Sequence, residues 1–270
     1  MLRAIRKEFG TTQAIPLTQV NIRSERHGPH ILHLTPGTDA REILEVLDQD
    51  GRILKKSRKR LVRHVGPYVL KSRRDAPFLG TLRHTFLGDT YRRGWHVALR
   101  LHEAGAGVPT PRALLEKRWH GLITGNVLVS DYVPNLKSLG DYGSALVSDR
   151  ASQQEVEAFL DALRGAYEQV LNAGVYLKDL SSTNVLTKDG RKFYFVDLDD
   201  AELDVAYTRK RRMRNHLHLY RQLRLFWPRT TIASFIQGLL PENEPLEPWV
   251  DILEDEYVPW RDRLARKNNR

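Results

Sequence analysis

Three side chains in the second half of the chain, Asp179, Asn184 and Asp197, have the types and spacing that phosphoryl transfer needs. The first two lie in the run Lys178-Asp179-Leu180-Ser181-Ser182-Thr183-Asn184, a D-L-x-x-x-N pattern, and the third follows after a gap. Transfer to a hydroxyl calls for a carboxylate beside the attacking oxygen. It also calls for oxygen ligands to magnesium, which takes one or two carboxylates and the nucleotide's own phosphates. Asp179 suits the orienting or deprotonating role, Asn184 offers a neutral metal ligand and Asp197 a charged one. Singly, each has an ordinary explanation as a loop cap, a turn residue and a member of the acidic turn Asp197, Asp199, Asp200. Their joint position, after a capped helix and around a strand pair, favours the catalytic reading.

The elements that must position them are legible. Ser152 and Glu155 form a capping box, and Val156, Phe159, Leu160, Leu163, Tyr167, Val170 and Leu171 make one apolar helix face that Gly174 closes. Val185-Leu186-Thr187 and Phe193-Tyr194-Phe195-Val196 read as two strands around a Lys188-Asp189-Gly190 turn. If that hairpin folds back, the three side chains meet at one edge. Upstream, Ile53-Leu54, Leu61-Val62 and Tyr68-Val69-Leu70 read as a three-stranded meander with turns at Ser57 and Gly66-Pro67, and Lys71 ends the third strand. A helix is expected from Asp89 to Ala104, then strands Ala113 to Lys117 and Leu122 to Val133, the last stopped by Pro134. Met213 to Phe226 and Trp249 to Ala265 are further expected helices. Ahead of Gly51, Ala40 to Leu47 spells a short helix capped by Asp39, and residues 1–40 an irregular or strand-containing extension.

The chain has 270 residues, 41% of them hydrophobic and 9% aromatic, enough for one two-lobed domain or two small ones. Zero cysteines exclude disulfides and thiolate metal sites, and the ten histidines show no H-E-x-x-H spacing, so any metal belongs on carboxylates. Net charge is +10. The excess clusters in Lys55, Lys56, Arg58, Lys59, Arg60 and Arg63, and again in Arg209, Lys210, Arg211, Arg212 and Arg214. The stretch from Glu242 to Glu256 carries seven carboxylates and no Lys or Arg. A basic surface attracts polyanions, and charge alone does not choose among nucleic acid, nucleotide phosphates, phosphorylated glycolipid and an anionic membrane. No stretch approaches eighteen apolar residues, and the basic start Met1 to Phe9 runs into Gly10, Thr11 and Thr12 where a signal peptide needs an apolar run. A cytoplasmic protein is expected.

From about Gly51 to Leu225 the chain resembles the protein kinase-like superfamily, and more narrowly the bacterial lipopolysaccharide kinases that phosphorylate Kdo or heptose in the inner core. Tyr68-Val69-Leu70-Lys71 is similar to the third-strand motif whose lysine holds the nucleotide's phosphates. Leu128-Val129-Ser130-Asp131-Tyr132-Val133 resembles the strand entering the hinge, where backbone groups of Asp131, Tyr132 and Val133 would hold adenine. Gly174-Val175-Tyr176-Leu177-Lys178-Asp179-Leu180 resembles the catalytic loop, Phe195-Val196-Asp197 the metal-binding strand end, and Arg212-Met213-Arg214-Asn215 a basic R-x-R-N segment. The departures are specific. Leu177 and Lys178 stand where kinases usually have His and Arg, and no glycine-rich loop precedes Lys71, the turn there being Lys55 to Arg60. Gly94 occupies the place of the helix glutamate that pairs with the lysine, with Glu103 farther along the same helix.

The resemblance implies an α+β, protein kinase-like two-lobed fold: residues 1–50 an extension, 51–134 a strand-rich N-lobe up to the hinge, 135–270 a helical C-lobe, with ATP and magnesium held between the lobes. It implies transfer from ATP to a sugar hydroxyl of a lipopolysaccharide core or related anionic glycolipid, with Asp179 as base, Asn184 and Asp197 on the metal and Lys71 on the phosphates. The basic runs would then rest on the inner-membrane surface, with the protein cytoplasmic or peripheral and no nucleic acid expected. The chain from Asp197 reaches the second basic run within about fifteen residues and contains no A-P-E motif, which favours a compact acceptor over a protein segment. Two alternatives stand beside this: a protein or small-molecule kinase, and a catalytically silent kinase-like scaffold or basic nucleic-acid-binding protein. No helix-turn-helix, zinc-finger or RNP signature supports the last.

Overall fold

The computed structural model describes residues 21–57, 60–73, 89–241 and 243–268, and they form two compact units. Residues 1–20, Arg58, Lys59 and Glu242, on which parts of the expected extension, basic start, first basic run and acidic stretch fall, lie outside the described residues. The first unit takes the described part of Ile15–Pro134 together with the short segment Asp197–Ala201. The second takes Asn135–Val196 and the described part of Glu202–Arg270.

The first unit is built on seven antiparallel strands: β1 (Arg23–His27), β2 (His30–Leu34), β3 (Arg52–Lys56), β4 (Arg60–Val65), β5 (Tyr68–Arg73), β6 (Pro111–Trp119) and β7 (Leu122–Asp131). Their order is β1-β2-β6-β7-β5-β4-β3. The meander and the later strand pair thus stand where the sequence places them. The stretch expected as an extension adds the β1–β2 hairpin to the edge of the same sheet, with β2 paired to β6 from His30↔Lys117 to Leu34↔Ala113. His120 and Gly121, both at positive φ, make the tight turn from β6 to β7.

Alternation along these strands loads both faces. Leu32, Leu34, Leu70, Ala113, Leu115 and Val129 pack with Ile43 and Val46 of helix α1 (Ala40–Asp48), which Asp39 caps through the Arg41 N–H. Leu114 and Leu128 face the other way, toward Tyr91, Trp95 and Leu99 of helix α2 (Thr90–Glu103). Lys71 is paired to Leu128, so the register sends it to the α2 face.

Glu116 of β6 ties α2 to the sheet. It is fully buried, with Arg92 of α2 at 2.6 Å and Arg118 at 2.7 Å. Burial alone would raise its carboxyl, but His33, Arg118 and Arg92 more than offset that and bring it from 4.5 down to about 2. A depressed carboxyl stabilises the fold above its unfolded value and loses that contribution as pH falls through the folded one. Here it is worth roughly 3 kcal/mol, present above pH 4.5 and lost toward pH 2. Glu116→Gln should therefore lower the melting temperature at pH 7, and the gap to the parent protein should close in melts taken across that acid window.

The second unit is mainly helical: α3 (Leu139–Ser148), α4 (Gln153–Asn172), α5 (Arg209–Leu223), α6 (Arg229–Gln237) and α7 (Leu246–Asn268), with short strands β8 (Lys137–Ser138), β9 (Val175–Tyr176), β10 (Val185–Thr187), β11 (Phe193–Phe195) and β12 (Glu202–Leu203). The Ser152–Glu155 capping box opens α4 as its sequence predicts. Helices α3 and α6 have no counterpart in the sequence reading. Along α7, Glu244 just before it and Glu254 within it receive Arg212 of α5 and Arg224 just after α5, and Asp251 receives Arg229 of α6. Of the second basic run, Arg212 and Arg209 thus find their counter-charge at Glu244 of the acidic stretch. Among the described residues no helix is long and apolar enough to cross a membrane.

Candidate active site

In the strand-rich unit, Lys71 leaves β5 on the α2 side and donates to two carboxylates. Its Nζ lies 2.6 Å from Asp197 Oδ1 and 2.8 Å from Asp199 Oδ1, with the Tyr91 ring 5.9 Å away. Arg60, at the start of β4, adds a second cation, 3.0 Å from Asp197 Oδ1 and 3.3 Å from Asp199 Oδ2. Two cations thus meet two carboxylates. Burial pushes the Asp197 carboxyl up, but Lys71, Arg60 and Lys55 outweigh it and hold the group below its usual range. Asp199 is buried more deeply, with a side chain 2% exposed against 27% for Asp197, and burial leaves its carboxyl raised despite the same two cations.

The backbone of Asp197 is left-handed, at φ 58° and ψ 52°, a region Asp tolerates better than most residues. One 3-10 turn follows, Leu198–Asp200, lying against α2 at Gly94. A Cβ at 94 would stand 3.1 Å from Asp199 Oδ1 and 3.5 Å from the Asp199 backbone. The glycine that breaks the expected lysine–glutamate pairing is what lets this turn approach. Glu103 is not among the partners of Lys71; burial raises its carboxyl, with Arg100 and His102 acting against that.

In the helical unit the loop after β9 holds Asp179 and Asn184. The Ser181 N–H donates to Asp179 Oδ1 at 3.1 Å, and the Asn184 side-chain amide donates to Asp179 Oδ2 at 3.0 Å. Asn184 is also fixed through its backbone, giving its N–H to the Ser181 carbonyl and receiving the Val196 N–H, each at 2.9 Å. With its NH2 turned to Asp179, its amide oxygen is the group left to meet a ligand. Leu177 and Leu180 are buried beneath the loop, a packing solution in place of the usual histidine. Lys178 reaches back to Glu202 at 2.6 Å, a carboxylate that Arg211 of α5 shares at 2.8 Å. Burial lowers the nearby His218 of α5, while the Asp179 charge acts on it in the opposite sense.

Asp131 and Tyr132, expected from the sequence to lie at a hinge, are committed to partners of their own. Asp131 is forked onto Arg112 at 2.6 and 2.7 Å, its N–H donates to the Thr110 carbonyl, and the Tyr132 N–H donates to the Pro67 carbonyl. The Tyr132 ring stacks on His64 with centroids 3.7 Å apart. The basic runs are likewise partly used up. Arg63 bonds the carbonyls at the end of α1, Arg211 pairs with Glu202, Arg212 is buried against Glu244, and Arg209 lies over the Trp249 ring. Lys55, Lys56, Lys210 and Arg214 stay exposed.

A seven-stranded sheet whose lysine faces a packed helix, followed by a helical unit with a D-x4-N loop, is a protein kinase-like architecture. Its likeness to a solved structure of WaaP in complex with acyl carrier protein carries the fold: TM-score 0.60 at 20% identity, covering 87% of this chain and 98% of that one. WbdD also matches, at 15% identity and TM-score 0.47 over 77% of this chain and 46% of that one. No curated protein matches by sequence. The profile of the lipopolysaccharide kinase (Kdo/WaaP) family matches residues 55–238, and the chain belongs to that family.

Proposed function

We propose that the protein transfers the terminal phosphate of ATP to a sugar hydroxyl, Kdo or heptose, on a lipopolysaccharide inner core or related anionic glycolipid. The observation that carries this reading is the 2.6 Å pair of Lys71 with Asp197, which holds a cation suited to phosphates beside a carboxylate suited to a metal. The donor chemistry fits magnesium: a carboxylate at Asp197 and an amide oxygen at Asn184 are hard ligands of the kind it takes. Magnesium and ATP, when bound, supply the phosphoryl group and neutralise its developing charge. Lys71 and Arg60 would hold the phosphates, and Asp197 would serve as a metal ligand. Asp179, oriented by the Ser181 N–H and the Asn184 amide, takes the acceptor hydroxyl's proton or aims it. With the Asp131 and Tyr132 N–H groups engaged, the adenine-facing donor of the hinge falls to Val133.

The short link from Asp197 to α5 and the absence of A-P-E favour a compact acceptor and an enzyme that needs no prior phosphorylation. The test is incubation with ATP, magnesium and dephosphorylated core, with generic protein as competitor, and mass analysis of the products. A phosphate gained by the core supports the reading, and preferential labelling of protein overturns it.

The same reading puts the protein peripherally on the inner membrane through its exposed basic side chains. Arg211 and Arg212 serve the interior, so the informative variant changes Lys55, Lys56, Lys210 and Arg214 to Ser. It should bind anionic vesicles more weakly, most visibly at low salt, because exposed charges are screened over about 10 Å at 0.1 M. Unchanged vesicle binding would remove the membrane from the proposal.

A further inference from the structure

We infer that Asp199 is the positioning carboxylate of Lys71, replacing from the 3-10 turn the helix glutamate that Gly94 removes; this rests on the kinase reading above. Each oxygen of Asp199 faces one cation, Oδ1 with Lys71 at 2.8 Å and Oδ2 with Arg60 at 3.3 Å. Asp199 thus holds Lys71 by a hydrogen bond and adds an ion-pair contact to Arg60, whose own hydrogen bonds go to Asp197. Asp197 touches the same cations but is far more exposed, and a metal ligand must be free to exchange its partners. Asp199, 2% exposed, keeps its own.

Gly94 makes the substitution possible. A side chain at 94 would crowd Asp199 Oδ1 from 3.1 Å, so a helix glutamate there requires Asp199 to give way by a few tenths of an ångström. Asp199 is a positioning residue, acting on the nucleotide through Lys71 and Arg60.

The experiment measures magnesium-ATP binding with a fluorescent ATP analogue, and turnover on dephosphorylated core, for the parent chain, Asp199→Asn, Asp199→Ala and the double variant Asp199→Ala with Gly94→Glu. Asp199→Asn keeps the shape and removes the charge. A charge-assisted bond lost from a buried site should lower kcat/KM for ATP by about tenfold to a hundredfold, with the acceptor KM unchanged. With Asp199 cut to Ala, the Oδ1 contact is gone and the turn backbone lies 3.5 Å from a Cβ at 94, so the carboxylate introduced there is expected to extend into the ground Oδ1 has left. The double variant should recover most of the loss seen in Asp199→Ala. A purely structural Asp199 would give no such recovery and no split between ATP and acceptor. ATP kinetics unchanged in Asp199→Asn, or a double variant no better than Asp199→Ala, would overturn the assignment while leaving the kinase reading standing. A parent chain that binds no magnesium-ATP overturns both.

Discussion

Asp197→Asn is expected to abolish magnesium-dependent ATP binding and to lower turnover by about a thousandfold, the scale on which loss of a preorganised charged group acts. Asn is the informative replacement because position 197 is left-handed. Ala there would add about 1–2 kcal/mol of backbone strain and blur the result, whereas Asn tolerates the conformation. The sign of one control is distinctive. Lys71 and Arg60 lose a competitor for ATP's phosphates when the carboxylate is removed, so affinity for ATP without magnesium should hold or rise. Binding isotherms with magnesium and with a chelator check both halves, and a variant whose magnesium-ATP affinity matches the parent's would strip Asp197 of its role.

For Asp179→Asn the expected loss lies in the chemical step: kcat down by about a hundredfold to ten-thousandfold, with ATP affinity spared, as for removal of a general base. The loop should survive. An Asn at 179 still accepts the Ser181 N–H, and the backbone bonds of Asn184 to Ser181 and Val196 do not depend on the carboxylate. Single-turnover rates at saturating ATP separate this from a binding defect, and turnover within tenfold of the parent's would remove Asp179 from the mechanism.

The parts of this molecule that sequence reveals are those fixed by local chemistry. The α4 capping box, the meander ahead of Lys71 and the D-x4-N loop are each written in neighbouring residues, and each stands in the structure. What escaped is set by distant partners. Helix α3 hides behind two glycines, which weaken a helix by propensity. Yet at Gly143 a Cβ would meet the Phe226 ring at 2.9 Å, so the residue that disguises the helix is required by its packing. Asp199 reads as one more acidic turn residue because its meaning lies in Lys71 and Gly94, far away along the chain. Likewise the second basic run reads as an open surface until Glu202 and Glu244 are seen to neutralise much of it.

The five residues Asp197–Ala201 belong to the strand-rich unit although the chain on either side of them belongs to the helical one. Gene architecture inherits a constraint from this. A polypeptide ending at Pro134 would contain every strand of the sheet but neither carboxylate for Lys71 and Arg60, and nothing to lie on Gly94. A polypeptide starting at Asn135 would carry those five residues with no sheet to receive them. The two units cannot be shuffled as separate modules, fused apart or exchanged between relatives after Pro134 without the graft also carrying this short piece. Recombination within the family should therefore favour swapping whole chains over swapping halves.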